Sequence, residues 1–447
     1  MTTNPITNLF NFDPLAIIMT FLISFIAITV SSFAFRYMKG DSNYNKFFSL
    51  VALLVSCLIV MVSADNLLVL LLAWCLSNAT LVVLMIHKST WQAAKASGML
   101  TAKIYMLGFV FITCGFFLLY AATGETSIKL INNYNADSFI ILYGLLFLLL
   151  GAMTQSAIWP FHKWLLSSLN APMPVSAIMH AGLVNGGGFL LVRFAPLYIN
   201  TPKILTIIFV IGLTTALIGT LWKLVQNDIK RMIACSTMAQ MGYMLAQCGL
   251  GLFPAAVAHL CWHGLFKAYL FLASGSAAQE KRIDLAYPPS IISFFCALLC
   301  GIAGSYSFAW VNSMEWFAHD TTLVIVFISF IASSQFSLSI LSKSPISRLP
   351  LAAIAASILG GVYGLSVHCI EYLVAPMNLP QPQPINLAHI FGMVLLFVSW
   401  LAIIFANKLN YAIFMPDWMV KIYVQVINSS QPHQATITTH RNHYKYL

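Results

Sequence analysis

The chain contains apolar runs of about 18 residues or more that recur along nearly its whole length. A helix of about 20 apolar residues crosses the hydrocarbon core of a bilayer. Only 8% of the 447 residues are charged and 60% are hydrophobic. A soluble globular domain carries about 25% charged residues. The sequence therefore predicts an all-α polytopic membrane protein and excludes an ordinary soluble enzyme, a disordered chain and a nucleic-acid binder.

Thirteen membrane spans are predicted from the apolar runs and the polar residues that separate them. The stretch Asn170-Ala-Pro172-Met-Pro174 interrupts the sixth span. Proline lacks a backbone donor and disfavours helix just before it, so Pro172 and Pro174 predict a broken helix. Such breaks mark the working site of many transporters, although a simple kink also fits the sequence. The spans cover about 14–36, 47–64, 66–87, 99–122, 138–158, 161–194, 203–225, 228–249, 252–275, 289–309, 321–341, 351–375 and 386–407.

Basic residues are distributed unequally between the two sets of loops. Cytoplasmic loops are enriched in Lys and Arg, so the net charge of +10 reports orientation. The pattern predicts an N-terminus outside and a C-terminus in the cytoplasm. The sparsely basic face carries Lys129, Arg193 and Lys203. The basic face and tail carry Arg36, Lys39, Lys46, Lys88, Lys95, Lys163, Lys223, Lys230, Arg231, Lys281, Arg282, Lys343, Arg348, Lys408, Lys421, Arg441 and Lys445.

Two regions are predicted along the chain. Residues 1–407 form the transmembrane domain in a lipid bilayer, and residues 408–447 form a cytoplasmic tail. Within the tail, apolar residues occur at helical spacing between Tyr411 and Ile427, together with Asp417 and Lys421. This pattern is typical of an interfacial helix, and a docking surface for a cytoplasmic partner fits it equally.

Three ionisable residues in the ninth span form a stripe. His259, His263 and Lys267 are four residues apart, which places them on one face of a helix. Ionisable groups inside a membrane are costly and mark functional sites. The stripe predicts a proton relay, which His180 joins after the proline-rich stretch. The alternative is that these side chains only satisfy neighbouring helices.

Other polar residues are weaker candidates for proton access or release. Lys103 lies one turn inside the fourth span, where its side chain can also reach the membrane surface. His368 and Glu371 lie near the outer end of the twelfth span, as a release group or as interfacial residues. The nine cysteines form no C-x-x-C pair, so neither a disulfide framework nor a zinc site is predicted. With no catalytic motif, we expect a transporter subunit without a cofactor of its own rather than an enzyme.

Several long motifs resemble the antiporter-like, proton-translocating subunits of respiratory complex I and of Mrp-type antiporters. The resemblance runs from about residue 12 to 285, and its motifs follow the family's order. They are Trp159-Pro-Phe-His-Lys-Trp164, Asn170-Ala-Pro-Met-Pro-Val-Ser-Ala-Ile-Met-His180, Gln226-Asn-Asp-Ile-Lys-Arg231, Ala234-Cys-Ser-Thr-Met-Ala-Gln-Met-Gly-Tyr243 and His259-Leu-Cys-Trp-His263-Gly-Leu-Phe-Lys267.

Within this superfamily, the segment from His180 to Leu197 and the short length are most similar to the DabB family. The resemblance implies the membrane subunit of a two-part inorganic-carbon accumulation system in a bacterial inner membrane. It also implies a partner similar to DabA, a large cytoplasmic protein with a zinc site like that of β-carbonic anhydrases. Proton or sodium flow through this chain would then energise CO2 hydration in the partner.

The sequence departs from the superfamily at charged positions. Trp74 is followed by Cys75 where the family usually has Glu, and Gln155 occupies the place of a usual Lys. No Lys or Arg occurs between Arg282 and Lys343. Gln155 therefore becomes a candidate for proton access beside the broken helix. Two alternatives follow: a subunit of a complex I-like or Mrp-type assembly, and a membrane anchor that translocates nothing.

Overall fold

The computed structural model describes residues 9–134, 138–275, 288–342, 344–377, 379, 382–405 and 417–437. Within these ranges the chain is almost entirely helical. The helices are α1 (Pro14–Tyr37), α2 (Tyr44–Ser63), α3 (Leu67–Met85), α4 (Gln92–Thr123), α5 (Ile128–Ile131), α6 (Phe139–Gln155), α7 (Lys163–Leu166), α8 (Met173–Ala181), α9 (Gly186–Arg193), α10 (Ala195–Ile199), α11 (Pro202–Leu224), α12 (Ile229–Gly249), α13 (Phe253–Ala273), α14 (Ile291–Val311), α15 (Thr322–Leu341), α16 (Pro345–Val374), α17 (Leu387–Phe405) and α18 (Asp417–Ser429).

Each of the thirteen predicted spans corresponds to a helical segment. Among the described residues, eleven segments are long and apolar enough to cross a membrane, counting α8 and α9 together. The two other predicted spans are α6, an apolar helix of 17 residues, and α12, which has 21 residues and carries several polar side chains. The prediction of an all-α polytopic membrane protein is confirmed.

Helix ends follow local signals in the sequence. The Asp13 carboxylate accepts from Ala16 N at 2.9 Å, and Pro14 begins α1, where a missing N–H costs nothing. Asp228 caps α12 in the same way by accepting from Arg231 N at 2.9 Å. These caps fix where the spans begin.

The sixth span differs from its prediction in its boundaries. The sequence predicts a span over 161–194 that is broken at its prolines, whereas the structure places the span at Met173–Arg193. Pro172 directly precedes α8 and Pro174 lies in its first turn, so these prolines begin the helix instead of breaking it. Residues 163–170 form α7 and a short 3-10 turn before the span.

The true interruption of this span lies at Gly182–Asn185, between α8 and α9. Neighbouring side chains bind the carbonyl groups that the interruption leaves free. Gln155 Nε2 donates to Leu183 O at 3.2 Å, and Ser156 Oγ donates to Val184 O at 2.7 Å. Irregular backbone at membrane depth is tolerated because other protein groups satisfy it in this way.

The broken span α8–α9 is the centre of the molecule. Among the eleven long apolar segments of the described residues, 94% of the residues in its most apolar 18-residue stretch are buried, and no other such segment exceeds 56%. Helices α1, α3 and α13 pack against α8, while α6, α12 and α13 pack against α9. The polar residues of this span are therefore enclosed by protein and not by lipid.

The tail contributes α18, which covers 417–429 of the segment predicted as an interfacial helix. Whether α18 lies on a lipid surface stays a prediction. Residues 411–416 of that segment lie outside the described residues, as do several basic residues used for the orientation: Lys281, Arg282, Lys343, Lys408, Arg441 and Lys445.

Candidate functional site

The four predicted relay residues meet beside the interruption of the broken span. α8 contributes His180, and α13 contributes His259, His263 and Lys267. Helix α12 packs against α13 and faces them with polar side chains. The spacing of four along α13 puts its three residues on one face, as the sequence predicts. Their role in proton transfer stays a prediction.

His263 is hydrogen bonded at both ring nitrogens. Its Nε2 lies 3.1 Å from His180 O, and its Nδ1 lies 2.8 Å from Gln240 Oε1. A carbonyl only accepts, so Nε2 carries the hydrogen. The Gln240 amide can present its oxygen to a protonated ring or, after a 180° flip, its nitrogen to a neutral ring. His263 can therefore change protonation state without losing either partner.

His180 is buried with 1% of its surface exposed. Its Nδ1 lies 3.0 Å from Thr237 Oγ1, and its ring stacks on Phe271 with centroids 4.4 Å apart. The Thr237 hydroxyl donates to Ile233 O at 3.0 Å. The same oxygen is thus left to accept from His180, which fixes the hydrogen on Nδ1.

Lys267 is completely buried, with 0% of its surface exposed. Its Nζ donates to Ser236 Oγ at 2.9 Å. Among the described residues the side-chain ion pairs are His87 with Asp41 and Arg193 with Asp13, so no carboxylate neutralises this ammonium. An intramembrane lysine without a counter-charge is costly and is the usual mark of a functional group.

His259 lies at the edge of the site. Its ring centroid is 6.0 Å from that of His263 and 5.2 Å from that of Tyr243. Within the described ranges its buried Nε2 has no hydrogen-bond partner. His259 also lines a cavity of about 280 Å³ with Ser329 and Tyr363. A water molecule in this cavity would give the ring nitrogen the partner that the protein does not.

Three partners of the relay residues on α12 were not predicted as site residues. Ser236, Thr237 and Gln240 bind Lys267, His180 and His263 respectively. They belong to a motif that carries the family resemblance, and their spacing places them on one helix face. That spacing was the available signal, but small polar residues in a membrane helix also serve as packing contacts between helices.

Gln155 is paired with Asn78. The two amides exchange hydrogen bonds of 3.0 Å in both directions, and their exposed fractions are 4% and 5%. Cys75 is exposed on the outer surface of α3. Of the two positions that usually carry charge, one therefore holds the outward-facing thiol of Cys75, and the other holds Gln155, a neutral amide that pairs with Asn78.

The remaining candidates for proton access or release lie on α4 and α16. Lys103 is exposed on α4, and His368 is exposed on α16. Glu371 is half-buried on the same helix as His368. Their roles stay predictions.

Cysteines and metal-binding side chains give no second site in the described part of the chain. All nine cysteines are free. No group of three or more His, Cys, Asp or Glu residues within the described ranges is placed to hold a metal ion. That the chain works without a cofactor of its own stays a prediction.

Comparison with known proteins assigns the chain to a family. The model of the NADH:quinone oxidoreductase/Mrp antiporter transmembrane family matches residues 64–287, which is half of the chain. The chain belongs to this family. A second model, for the N-terminus of chain 5 of NADH-ubiquinone oxidoreductase (complex I), matches residues 2–48. The family resemblance inferred from the motifs is confirmed.

Curated members of the NADH:quinone oxidoreductase/Mrp antiporter family include inorganic-carbon and respiratory subunits. The chain is 38% identical over 278 residues to a probable inorganic carbon transporter subunit DabB1 of Halothiobacillus neapolitanus, covering 60% of this chain and 50% of that protein. It is 37% identical over 281 residues to a probable inorganic carbon transporter subunit DabB of Bacillus subtilis, covering 61% of this chain and 54% of that protein. It is 34% identical over 270 residues to NADH-quinone oxidoreductase subunit L of Escherichia coli, covering 59% and 44%. The chain thus spans about half the length of these relatives.

A solved structure supports the family fold. The Mrp complex of Dietzia sp. DQ12-45-1b contains a chain that matches with a TM-score of 0.65 and 21% identity. The match covers 93% of this chain and 51% of that one. The antiporter-like helical fold therefore extends over nearly the whole chain.

Proposed function

We propose that this chain is the ion-translocating membrane subunit of an inorganic-carbon transport complex. The observation that carries the proposal is the uncompensated, fully buried Lys267 beside His263 and His180 at the broken helix. The relatives named DabB support the carbon-transport context. Protons are the ion we favour, because the site offers titratable groups held by neutral donors and acceptors.

The contacts suggest how these residues would pass a proton. The Gln240 amide can serve both protonation states of His263, so the ring can take up and release a proton in place. Lys267 holds its position through Ser236 whether it is charged or neutral, since a hydroxyl accepts from an ammonium and donates to an amine. Proton transfer between α12, α13 and α8 then needs no large movement of these side chains.

The proposed complex places the chemistry outside this chain. We propose a DabA-like partner in the cytoplasm, whose zinc would supply CO2 hydration, while this chain supplies the electrochemical driving force. The chain would lie in a bacterial inner membrane with its N-terminus outside and its C-terminus inside, following the distribution of its basic loops. By itself it would be no enzyme.

Substitution of the buried lysine tests the translocation proposal. Lys267→Ala removes the ammonium that donates to Ser236. We expect bicarbonate accumulation in whole cells to fall by about 100-fold or more, the size of a typical acid–base contribution. Lys95→Ala, at an exposed position on α4, is the matched control. Addition of a protonophore should abolish accumulation by the unaltered protein. Full accumulation by Lys267→Ala at equal protein level would refute the proposal.

A second candidate function is a subunit of a complex I-like or Mrp-type assembly. The match to the respiratory subunit L and the likeness to the Mrp complex favour it. Purification of the tagged chain in mild detergent separates the candidates through the polypeptides that remain bound. A large zinc-containing soluble protein supports the carbon-transport proposal, whereas quinone-reductase or multisubunit antiporter proteins support the second.

A non-translocating anchor is the third candidate, favoured by the neutral residues Cys75 and Gln155 at the usual charged positions. An anchor needs the shape of the buried residues and not their titration. It therefore predicts that Lys267→Met retains partner binding and full accumulation together. Retained binding with lost accumulation would exclude the anchor and leave translocation.

A further inference from the structure

The C-terminal segment turns back onto the helix bundle after α18. We call residues 430–437 the strap. Ser430 Oγ accepts from Gln226 Nε2 at 2.7 Å, and Gln431 Oε1 accepts from Arg231 Nη1 at 2.9 Å. Gln226 lies in the short connection between α11 and α12, and Arg231 lies in the first turn of α12. The first half of the strap thus binds the beginning of α12.

The second half of the strap binds the stretch that leads into the broken span. His433 N donates to Ser167 Oγ at 2.9 Å, and Asn170 Nδ2 donates to Thr436 O at 2.9 Å. Ser167 and Thr436 are 1% and 5% exposed. The strap therefore covers polar groups that would otherwise meet water at this face.

Two helices that carry the candidate site begin beneath the strap. Lys230 lies in the first turn of α12, and its Nζ donates to Leu169 O at 3.1 Å and to Ala171 O at 3.2 Å, just before α8 begins. These hydrogen bonds connect the start of α12 to the start of α8. Ser236 and Thr237 follow Lys230 on α12 within two turns. A change at the strap would therefore act on the ends of both α8 and α12, close to the candidate site.

We propose that the strap is an intrachain latch that closes this face of the bundle, and that its release admits water to the polar chain formed by α8, α12 and α13. Four hydrogen bonds of ordinary strength contribute less free energy than the conformational entropy of ordering eight residues costs, so these bonds alone hold the strap only weakly. Segments held by so few contacts open locally far more often than a helix core. The latch is thus built to open reversibly. Its gating role rests on the proposed function, but its closure of the face does not.

The accessibility of Cys235 can report whether the strap is bound or released. Val426, on α18 just before the strap, packs against a buried cluster that contains Trp222 and Cys235. Cys235 is 0% exposed. Release of the strap would lift Val426 from this cluster and let water and a thiol reagent reach Cys235.

The decisive experiment compares two pairs of substitutions in the full chain. Ser430→Ala with Gln431→Ala removes two latch contacts. Ser429→Ala with Gln425→Ala is the matched control, because the Ser429 hydroxyl donates to Gln425 O and Val426 O of its own helix and Gln425 is exposed. The readout is the rate at which a membrane-impermeant maleimide modifies Cys235, followed by peptide mass. We expect about tenfold faster modification in the latch variant, the change that two hydrogen bonds produce, and none in the control.

Proton flux into proteoliposomes then tests gating. The latch variant, and a second variant that lacks residues from 430 onward, should pass protons faster than the unaltered chain. Unchanged modification of Cys235 in both variants would overturn the latch. Faster modification with unchanged flux would overturn its gating role. Absence of flux from every protein would count against the proposed function, while the Cys235 rate would still decide the latch.

Discussion

Arg193 is a buried charge that ties the N-terminal helix to the end of the broken span. Its Nη1 pairs with the Asp13 carboxylate, and its Nη2 donates to Val62 O at 2.5 Å. The guanidinium also lies over the Phe189 ring, 5.2 Å from its centroid. With 4% of Arg193 exposed, this charge depends on its carboxylate partner.

Neutralisation of the Asp13 carboxylate, the partner of Arg193, should destabilise the protein strongly. Asp13→Asn preserves the cap of α1, since Asn is an equally good capping residue, but leaves the arginine charge unpaired. We expect a loss of about 3–5 kcal/mol, seen as a lower melting temperature in detergent. Arg36→Met, at an exposed position, is the control. An Asp13→Asn and Arg193→Met double variant that is no more stable than Asp13→Asn alone would contradict this account.

His162 is a titratable group between the spans whose burial makes it sensitive to acid. It is 4% exposed and packs on Trp222, with ring centroids 4.7 Å apart. Burial, with a smaller effect of Lys163, lowers the pKa of His162 from 6.5 to about 4. The folded pKa is below the unfolded pKa, so its stabilising contribution is complete above pH 6.5 and is lost as the pH falls toward about 4.

Acid should therefore loosen the connection around His162. Between the two pKa values the population of the opened state should rise by up to about tenfold per pH unit. Hydrogen exchange of peptides from residues 156–170, corrected for the intrinsic exchange rate at each pH, measures the population of this opened state. His162→Phe keeps the ring packing and should remove the acid dependence. If the His162→Phe variant shows the same increase in hydrogen exchange at low pH, protonation of another group causes the opening.

At the scale of elements, close contact between α11 and α12 depends on glycine. A Cβ atom at Gly242 would lie 2.5 Å from Ala216 N and 2.7 Å from Gly212 O. These neighbours are backbone atoms and cannot move aside singly. Small residues of this kind let membrane helices approach each other.

Addition of one methyl group at this contact should separate the helices. We expect Gly242→Ala to cost about 1–3 kcal/mol of stability, read as a lower melting temperature. Because α12 carries Ser236, Thr237 and Gln240, proton flux should fall as well. Gly275→Ala, where a Cβ would meet nothing within 4 Å, is the control. Equal melting temperatures for the two variants would show that the interface can expand without cost.

The broken span shows what an element-level pattern can and cannot predict. Pro172 and Pro174 predict a helix broken at their own position, which is wrong, because proline is compatible with the first turn of a helix and so begins α8. The interruption at Gly182–Asn185 contains no proline. It is tolerated at membrane depth because Gln155 and Ser156, distant in sequence, bind the carbonyl groups there.

At the scale of the whole molecule, the distribution of basic residues makes one overall prediction. A fluorescent protein fused after residue 447 should fold and fluoresce, because the C-terminus is expected in the cytoplasm. A periplasm-dependent phosphatase fused at the same place should be inactive. The opposite pair of results would invert the proposed orientation and place the strap on the outer face.

The sequence by itself determined the fold class, the number of helical spans and the family, because bilayer thickness and backbone hydrogen bonding leave a long apolar run few alternatives to a helix. It also placed His259, His263 and Lys267 on one face through helical periodicity alone. Only the tertiary structure decided that His180 lies beside His263, that α12 supplies their partners and that Gln155 pairs with Asn78. Contacts between distant segments depend on how helices pack, which local patterns do not encode.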